Sequence, residues 1–234
     1  MRLQAFLARS GAAPSRRKAE RLIEAGRVTV DGGIATLGLS VSGDEEILLD
    51  GSPVLLPAAH AYLALNKPPG YLTTLKDEPD KNRPTVADLM PDDVPGLVPA
   101  GRLDAETTGL LILTNDGHLA HRITHPSTEI EKDYLLTLKS PVPPEALEKL
   151  TAGPVLEDGP MAPPTVSNLR AGPRQTTLRL TIHEGRNRII RRACTAVGLD
   201  LISLRRVRVG PVLLGNLPEG EHRPLTEEEL GALR

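Results

Sequence analysis

The sequence predicts an α+β protein in two parts: a small α/β unit at the N-terminus, then a larger domain on a central, mainly antiparallel sheet flanked by helices. Three observations lead there. After residue 60, strand-type runs such as GLLILT (109–114) and LISLRRVRV (201–209) are long. The helical patterns between them are scattered rather than alternating as in βαβ repeats. The first 27 residues instead carry apolar side chains at helical spacing. Between the two parts, SPVLLPAAHA (52–61) has two prolines and small residues, the composition of a linker. The boundary is placed at 57/58, giving units 1–57 and 58–234.

Taken in order, Leu3, Phe6 and Leu7 form the apolar stripe of a first helix, which Gly11-Ala12-Ala13-Pro14 stops. Ser15 is placed to cap a second helix with Ala19, Leu22 and Ile23 inward, and Gly26 to end it. Val28–Val30, a turn at Asp31-Gly32, and Ile47–Leu49 before Asp50-Gly51 read as short strands. In the larger unit, strands are expected at 62–66, 109–114, 134–138, 176–182 and 201–209, and helices at 118–124, 144–150, 185–197 and 227–233. Residues 76–96, rich in Asp, Pro and Lys, read as a loop. Gly101-Arg102-Leu103 lacks the follow-on glycines or Lys-Thr of a nucleotide-binding loop.

The net charge of −2 hides a segregation. Residues 2–27 hold seven Lys/Arg against two acids, and residues 184–210 hold seven Arg against two acids, on an otherwise acidic chain. One such segment alone is an ordinary solvated face; two together point to localised binding of a polyanion. Phe6, Tyr62, Tyr71 and Tyr134 are the only aromatic rings besides histidine. A row of base-stacking platforms is therefore excluded, and charge and shape must dominate any RNA contact. No apolar run is long enough for a membrane helix, and MRLQAFLARSG does not read as a leader. The single Cys194 excludes an intrachain disulfide, in keeping with an expected cytoplasmic location.

Three segments carry candidate chemistry. In GRLDAETTGLLILTNDG (101–117), Asp104 stands between a Gly-Arg turn and an apolar strand. Arg102, two residues away, is a charge that would hold it ionised for work as a nucleophile or base. The commoner use of such an aspartate is an Asx-turn, and Asp116 in Asn115-Asp116-Gly117 reads as only that. In EGRNRIIRRACTAVG (184–198), Arg188, Arg191 and Arg192 share one face of a helical wheel. Ile189, Ile190, Ala193, Cys194 and Val197 take the other. Three arginines so crowded call for an anion. In EKDYLLTL (131–138), Tyr134 opens a strand.

Rival chemistries are less well served. Glycoside hydrolysis needs a second placed carboxylate, for which Glu106 is the nearest in sequence. His118, His121 and His125 fall near one side of a wheel, but His125 precedes Pro126 and no clear fourth zinc ligand follows. Cys194 lies on the apolar helix face, where a thiol is inert.

The first segment, RLQAFLARSGAAPSRRKAERLIEAGRVTVDG followed by GDEEILLDG, resembles the S-four-like RNA-binding domain. NKPPG (66–70), GRLDAETTGLLILTNDG (101–117), EKDY (131–134) and EGRNRIIRR (184–192) resemble, in this order, the pseudouridine synthases that modify bacterial ribosomal RNA and carry that domain. The resemblance covers nearly the whole chain and implies roles. Asp104 matches the catalytic aspartate, Tyr134 the tyrosine that packs on the target base, and Arg191 the basic residue paired with the aspartate. Arg102 matches the arginine that fills the place of the extruded uridine, and Lys67 the lysine of the Lys-Pro motif. RNA contacts are expected from Arg16, Arg17, Lys18, Arg21, Arg27, Lys67, Arg102, Arg186, Arg188 and Arg192. Ile189 stands where relatives often carry Gln, Ala193-Cys194 where they carry Met/Leu-Phe, and Thr108 where Ser is common.

The implied reaction breaks the N-glycosidic bond of uridine, turns the base and rejoins it through carbon. It needs a carboxylate near C1′ or C6 and a flipped base, at a cost on the order of a few kcal/mol. It needs no metal, redox group or other small-molecule cofactor. The expected partner is ribosomal RNA, that of the large subunit (23S) before that of the small (16S), with no membrane, acted on by a monomer. The rival of another class is a non-catalytic RNA-binding or ribosome-assembly factor, which would need the basic segments but not Asp104.

Overall fold

The computed structural model describes residues 1–57, 59–78 and 81–234. Its first unit packs α1 (Leu3–Arg9) and α2 (Arg16–Glu24) on a four-stranded antiparallel sheet. The strands are β1 (Val28–Val30), β2 (Gly33–Ile34), β3 (Ile47–Leu49) and β4 (Ser52–Pro53), in the order β2-β1-β3-β4. Ser15 caps α2, its hydroxyl accepting from the Lys18 amide at 3.2 Å. Both tight hairpins turn on Asp-Gly pairs with positive φ at each residue, 49° and 78° at Asp31-Gly32 and 51° and 78° at Asp50-Gly51. That mirror-image turn matches the twist of the strands it joins. Leu3, Phe6, Leu7, Ala19, Ile23, Val28, Ile47 and Val54 close the small core. The first three residues of the expected linker therefore belong to this unit, as β4 and a buried valine.

The second unit is built on one nine-stranded sheet. Its strands include β5 (Tyr62–Lys67), β6 (Val98–Ala100) and β7 (Thr108–Thr114), followed by α3 (Gly117–Thr124). Next come β8 (Lys132–Lys139), α4 (Pro144–Thr151) and a small separate hairpin of β9 (Val155–Leu156) and β10 (Gly159–Pro160). β11 (Thr165–Ala171) and β12 (Gln175–Ile182) precede α5 (Ile189–Ala196). β13 (Leu201–Val209), β14 (Val212–Leu213), β15 (His222–Pro224) and α6 (Glu227–Leu233) complete the chain. The order is β11-β12-β8-β13-β7-β5-β15, with β14 on β13 and β6 on β7. Every pairing is antiparallel except β13 with β7.

The sheet is covered on both faces at its centre. Along β7, Leu111 and Leu113 enter one core with Leu136, Leu138, Leu178 and Ile190. Leu110 and Ile112 enter the other with Leu119, Ile123, Leu230 and Leu233. A strand buried on both sides has no polar face to show, which is why GLLILT is apolar throughout. β12, by contrast, buries Leu178, Leu180 and Ile182 and leaves Arg179 only partly covered, so it alternates. Gly109 lets β7 close on β13: a Cβ there would overlap the Arg206 carbonyl, and φ is +98°.

Three expectations change. The helix read over 185–197 begins only at Ile189, because Arg188 adopts a left-handed φ of 48° and GRNR is a loop. β6, β11 and β15 were not expected; two carry proline and the third is largely exposed and polar. Asp116 is more than a turn residue, since its carboxylate caps α3, accepting from the His118 amide at 2.9 Å, and also accepts from the Tyr62 hydroxyl at 3.1 Å. Within the 76–96 loop, residues 79 and 80 lie outside the described residues; around them Arg83 pairs with Asp77 at 2.7 Å and Val86 is buried. No helix among the described residues is long and apolar enough to cross a membrane.

Candidate active site

Asp104 sits on the loop between β6 and β7, and that loop is stitched down from the end of β5. Lys67, fully buried, donates from Nζ to the carbonyls of Pro68, Ala105 and Thr107 at 2.9, 3.1 and 3.0 Å. The Thr73 hydroxyl donates to the Leu103 carbonyl at 2.7 Å and accepts from its amide at 3.1 Å. The backbone on either side of Asp104 is thereby fixed. Burial pushes the Lys67 ammonium down to about 8, opposed by the carboxylates of Glu106 and Asp104. The expectation that Lys67 contacts RNA fails: the side chain is sealed beneath the loop, and its three N–H donors are all spent on backbone.

The other half of the site comes from the loop after β12. Arg191, on the first turn of α5, places Nε 3.4 Å from Asp104 Oδ2, and Arg188 places Nη1 3.7 Å from the same oxygen. Arg191 also donates from Nη2 to the Thr107 hydroxyl at 3.1 Å, which fixes its direction. The Arg191 Nε–H is buried and makes no hydrogen bond. Asp104 is thus held by charge but not tied by a hydrogen bond, the loose geometry common in substrate-free sites. Arg102 is exposed at the cavity rim and forms no ion pair with Asp104 among the described residues, so the charge beside this carboxylate comes from the downstream loop instead.

The remaining arginines of the loop have partners of their own. Asp158, in the turn of the β9–β10 hairpin, takes Arg192 at 2.7 and 3.0 Å through both its oxygens and Arg186 at 2.9 Å. Arg186 also donates to Glu184 at 2.8 Å, whose other oxygen accepts from the Ala162 amide at 2.8 Å. The hydrogen bond from Arg192 holds the Asp158 carboxyl below its ordinary range. The anion that the crowded arginines call for is therefore supplied internally. Arg186 and Arg192 are braces of the loop rather than free RNA contacts.

These elements enclose a cavity of about 640 Å³, lined among others by Arg102, Asp104, Tyr134, Arg188 and Arg191. Tyr134 is buried on β8, its hydroxyl 3.5 Å from Arg206 Nη1, and Arg206 is held by donation from Nε to the Leu110 carbonyl at 2.7 Å. Lys132 lines the same cavity, its amine pushed down to about 8 by burial and then by the Arg206 charge. Sequence reading missed Thr107, Lys132, Asp158 and Arg206. Only Lys132, two residues from Tyr134 on the same strand face, carried a local signal.

On the first unit, Arg16, Arg17, Lys18 and Arg21 are exposed and form no ion pair among the described residues. Arg27, expected to join them, is instead paired with Asp50.

The sequence matches the RNA pseudouridylate synthase family over residues 61–196 and the S4 domain over residues 1–47. The chain belongs to the RNA pseudouridylate synthase family. An RNA pseudouridine synthase of Mycobacterium leprae (strain TN) is 46% identical, over 100% of this chain and 92% of the relative. The ribosomal large subunit pseudouridine synthase B of Bacillus subtilis (strain 168) is 41% identical, over 100% of this chain and 95% of its own. The ribosomal small subunit pseudouridine synthase A of Escherichia coli (strain K12) is 39% identical over 100% of both chains. A crystal structure of a pseudouridylate synthase is similar with a TM-score of 0.70 and 33% identity over 100% of both chains. In this synthase the departures at Ile189 and Ala193-Cys194 lie buried in the main core, and burial pushes the Cys194 thiol up to about 12.

Proposed function

We propose that this synthase converts one uridine of ribosomal RNA to pseudouridine with Asp104 as its catalytic carboxylate. One observation carries the assignment. Of the carboxylates lining the cavity, Asp77, Glu78 and Glu184 are paired with their own arginines or lysine. Among the described residues, Asp104 alone lies beside two guanidinium groups with no hydrogen bond to its side chain. It is oriented beside two cations, and its oxygens are free to react. Arg191 and Arg188 stand 3.4 and 3.7 Å from its Oδ2, and Tyr134 offers the ring for the flipped base. Arg102, exposed at the rim, is placed to fill the gap the base leaves in the RNA. The Asp104 side chain attacks the sugar or base carbon or takes a sugar proton; each route uses its carboxyl group.

Ribosomal RNA as substrate is supported by the S4 domain and by the names of the Bacillus and Escherichia relatives. The resemblance of α2 and the KPPGYLTTLKDE segment to large-subunit members of the family favours the large subunit as target, and the small subunit is the alternative. The reading places the enzyme in the cytoplasm as a monomer, with an RNA-binding unit at 1–57 and a catalytic unit at 58–234.

The test is pseudouridine mapping of 23S and 16S transcripts after incubation with wild type and Asp104→Asn. The wild type should modify one transcript, and the variant should lose ~10⁴-fold or more in turnover with RNA affinity kept. Product from the variant would remove Asp104 from its role. Binding without product by the wild type would leave a non-catalytic RNA-binding protein.

A further inference from the structure

The three histidines that share one side of a helical wheel have no part in the site above. α3 turns Leu119 and Ile123 into the core and leaves His118, His121 and Arg122 exposed on the opposite face. His125 leaves the helix before Pro126, yet its ring stacks on His121 with centroids 4.7 Å apart, so it extends the same face. Its Nδ1 is engaged by the Ser127 amide at 3.2 Å, which leaves Nε2 uncommitted. No carboxylate lies on α3 itself, and Asp116 at its start is occupied by the helix amides and Tyr62. Among the described residues none of these four side chains forms an ion pair, and no group of His, Cys, Asp or Glu is placed to hold a metal.

What gives this face a use is where its ends lie. At the first end, a Cβ on Gly117 would stand 3.9 Å from Arg16 Nη2, at the start of the basic α2. At the other end, Thr124 Cγ2 would stand 3.5 Å from a Cβ on Gly101, next to Arg102, and Thr124 and Pro126 line the cavity. The eight residues of α3 span ~12 Å at 1.5 Å each. The first unit approaches the second closely at two glycines: a Cβ on Gly96 would overlap the Arg9 carbonyl, and one on Gly11 would lie 3.1 Å from Pro95. The exposed face of α3 runs between α2 and the mouth of the active site.

We propose that His118, His121, Arg122 and His125 form a phosphate-binding ridge, along which the RNA backbone runs from α2 to the cavity mouth at Arg102. This rests on the reading of the substrate as ribosomal RNA. Imidazole and guanidinium N–H groups are donors to phosphate oxygens, and such bonds set register without reading sequence. The face holds no large apolar side chain, so it fits a polyanion and not an apolar partner.

The test uses the full-length enzyme with His121→Gln/Arg122→Gln and His121→Glu/Arg122→Glu pairs, binding 23S and 16S transcripts across a salt series. All four positions are exposed, and thermal melting confirms that each pair folds. The Gln pair should weaken binding ~3- to 10-fold and flatten the slope of log K against log salt by ~1 for each phosphate no longer neutralised. The Glu pair should weaken it further. Wild-type affinity and salt slope in both pairs overturn the ridge. Asp104→Asn in the same titration separates the two readings. A wild type that binds but makes no product defeats the enzymatic reading while the ridge stands on its binding data. A wild type that binds neither transcript defeats both.

Discussion

Two basic regions look alike in the sequence and behave differently in the fold. Residues 2–27 and 184–210 each hold seven Lys/Arg against two acids. On α2, Arg16, Arg17, Lys18 and Arg21 stand in solvent without ion-pair partners among the described residues. In the loop before α5 and on α5, Arg186, Arg188, Arg191 and Arg192 each meet a carboxylate of the chain itself. The first region is open to an external anion. The second spends its charge internally, to build the loop that brings Arg191 to Asp104. Local charge reports that a polyanion is near; only the long-range partners tell whether that anion is RNA or the protein.

The sharpest break of this comparison concerns two lysines. Lys18 is exposed and Lys67 buried, so Lys18→Met should leave stability untouched while Lys67→Met strands three carbonyls that its ammonium now serves. Each buried acceptor left without a donor costs ~1–3 kcal/mol, so a loss of ~3 kcal/mol or more is expected in urea unfolding. The pH dependence has a definite sign. The Lys67 pKa in the fold, about 8, lies below the ordinary 10.5. Between these values the unfolded chain holds more protons, so wild-type stability from this group rises with pH. Lys67→Met should lack that share of the rise, with the Lys132 share left in place. A stability difference between wild type and variant that stays flat from pH 8 to 10.5 would contradict the buried, proton-poor lysine.

Asp158 divides the regions next. Asp158→Ala removes the shared partner of Arg186 and Arg192. The loop should loosen and Arg191 should drift from Asp104. Turnover is expected to fall ~10- to 100-fold, as for a small misplacement of a catalytic pair. RNA affinity should rise at the same time, because two arginines are released to solvent. Loss of affinity in this variant would instead make Asp158 part of the RNA-binding surface. On α2 the pattern reverses. Arg17→Gln/Lys18→Gln should weaken binding a few-fold and lower the salt slope by ~1 for each phosphate left unneutralised, with kcat unchanged. Equal falls in kcat from the α2 pair would show that the two regions act as one.

How much of this was legible follows the range of the interactions. β13 and α6 lie at the expected residues, because alternation, capping and an apolar stripe are local. The fully apolar β7 was legible for the same reason, its composition demanding cover on both faces. β6 and β15 were not, since a proline in an edge or short strand looks like loop. At the site, the meeting of Asp104 with Arg191 was expected only from the family resemblance, and the charge beside Asp104 was wrongly given to Arg102, its nearest cation in sequence. The helical wheel failed at Arg188, where a left-handed residue ends the loop and no periodicity marks it. Lys67 misled because its acceptors Ala105 and Thr107 lie 38 and 40 residues away. Asp158, 28 and 34 residues from the arginines it holds, gave no signal at all.

Arg27 marks the smallest expected effect and the edge of the comparison. It belongs to the first region by sequence but behaves as the second, its Nε donating to Asp50 at 2.9 Å across the turn after β3. Both partners are about half exposed, with side-chain accessibilities of 51% and 48%, so water competes for the pair and salt screens it. Hydrogen bonding and charge from Asp50 raise the Arg27 pKa, but this guanidinium is charged at any working pH, so the shift moves no proton there. Arg27→Gln should therefore leave the melting midpoint, kcat and RNA affinity at wild-type values. The informative variant is Asp50→Asn, which keeps the turn residue type and removes the competing carboxylate. If Arg27 is withheld from RNA only by Asp50, this change should tighten transcript binding and steepen its salt slope by ~1. An unchanged slope would show that Arg27 lies off the RNA path even when free, and that the binding face of the first unit ends at α2.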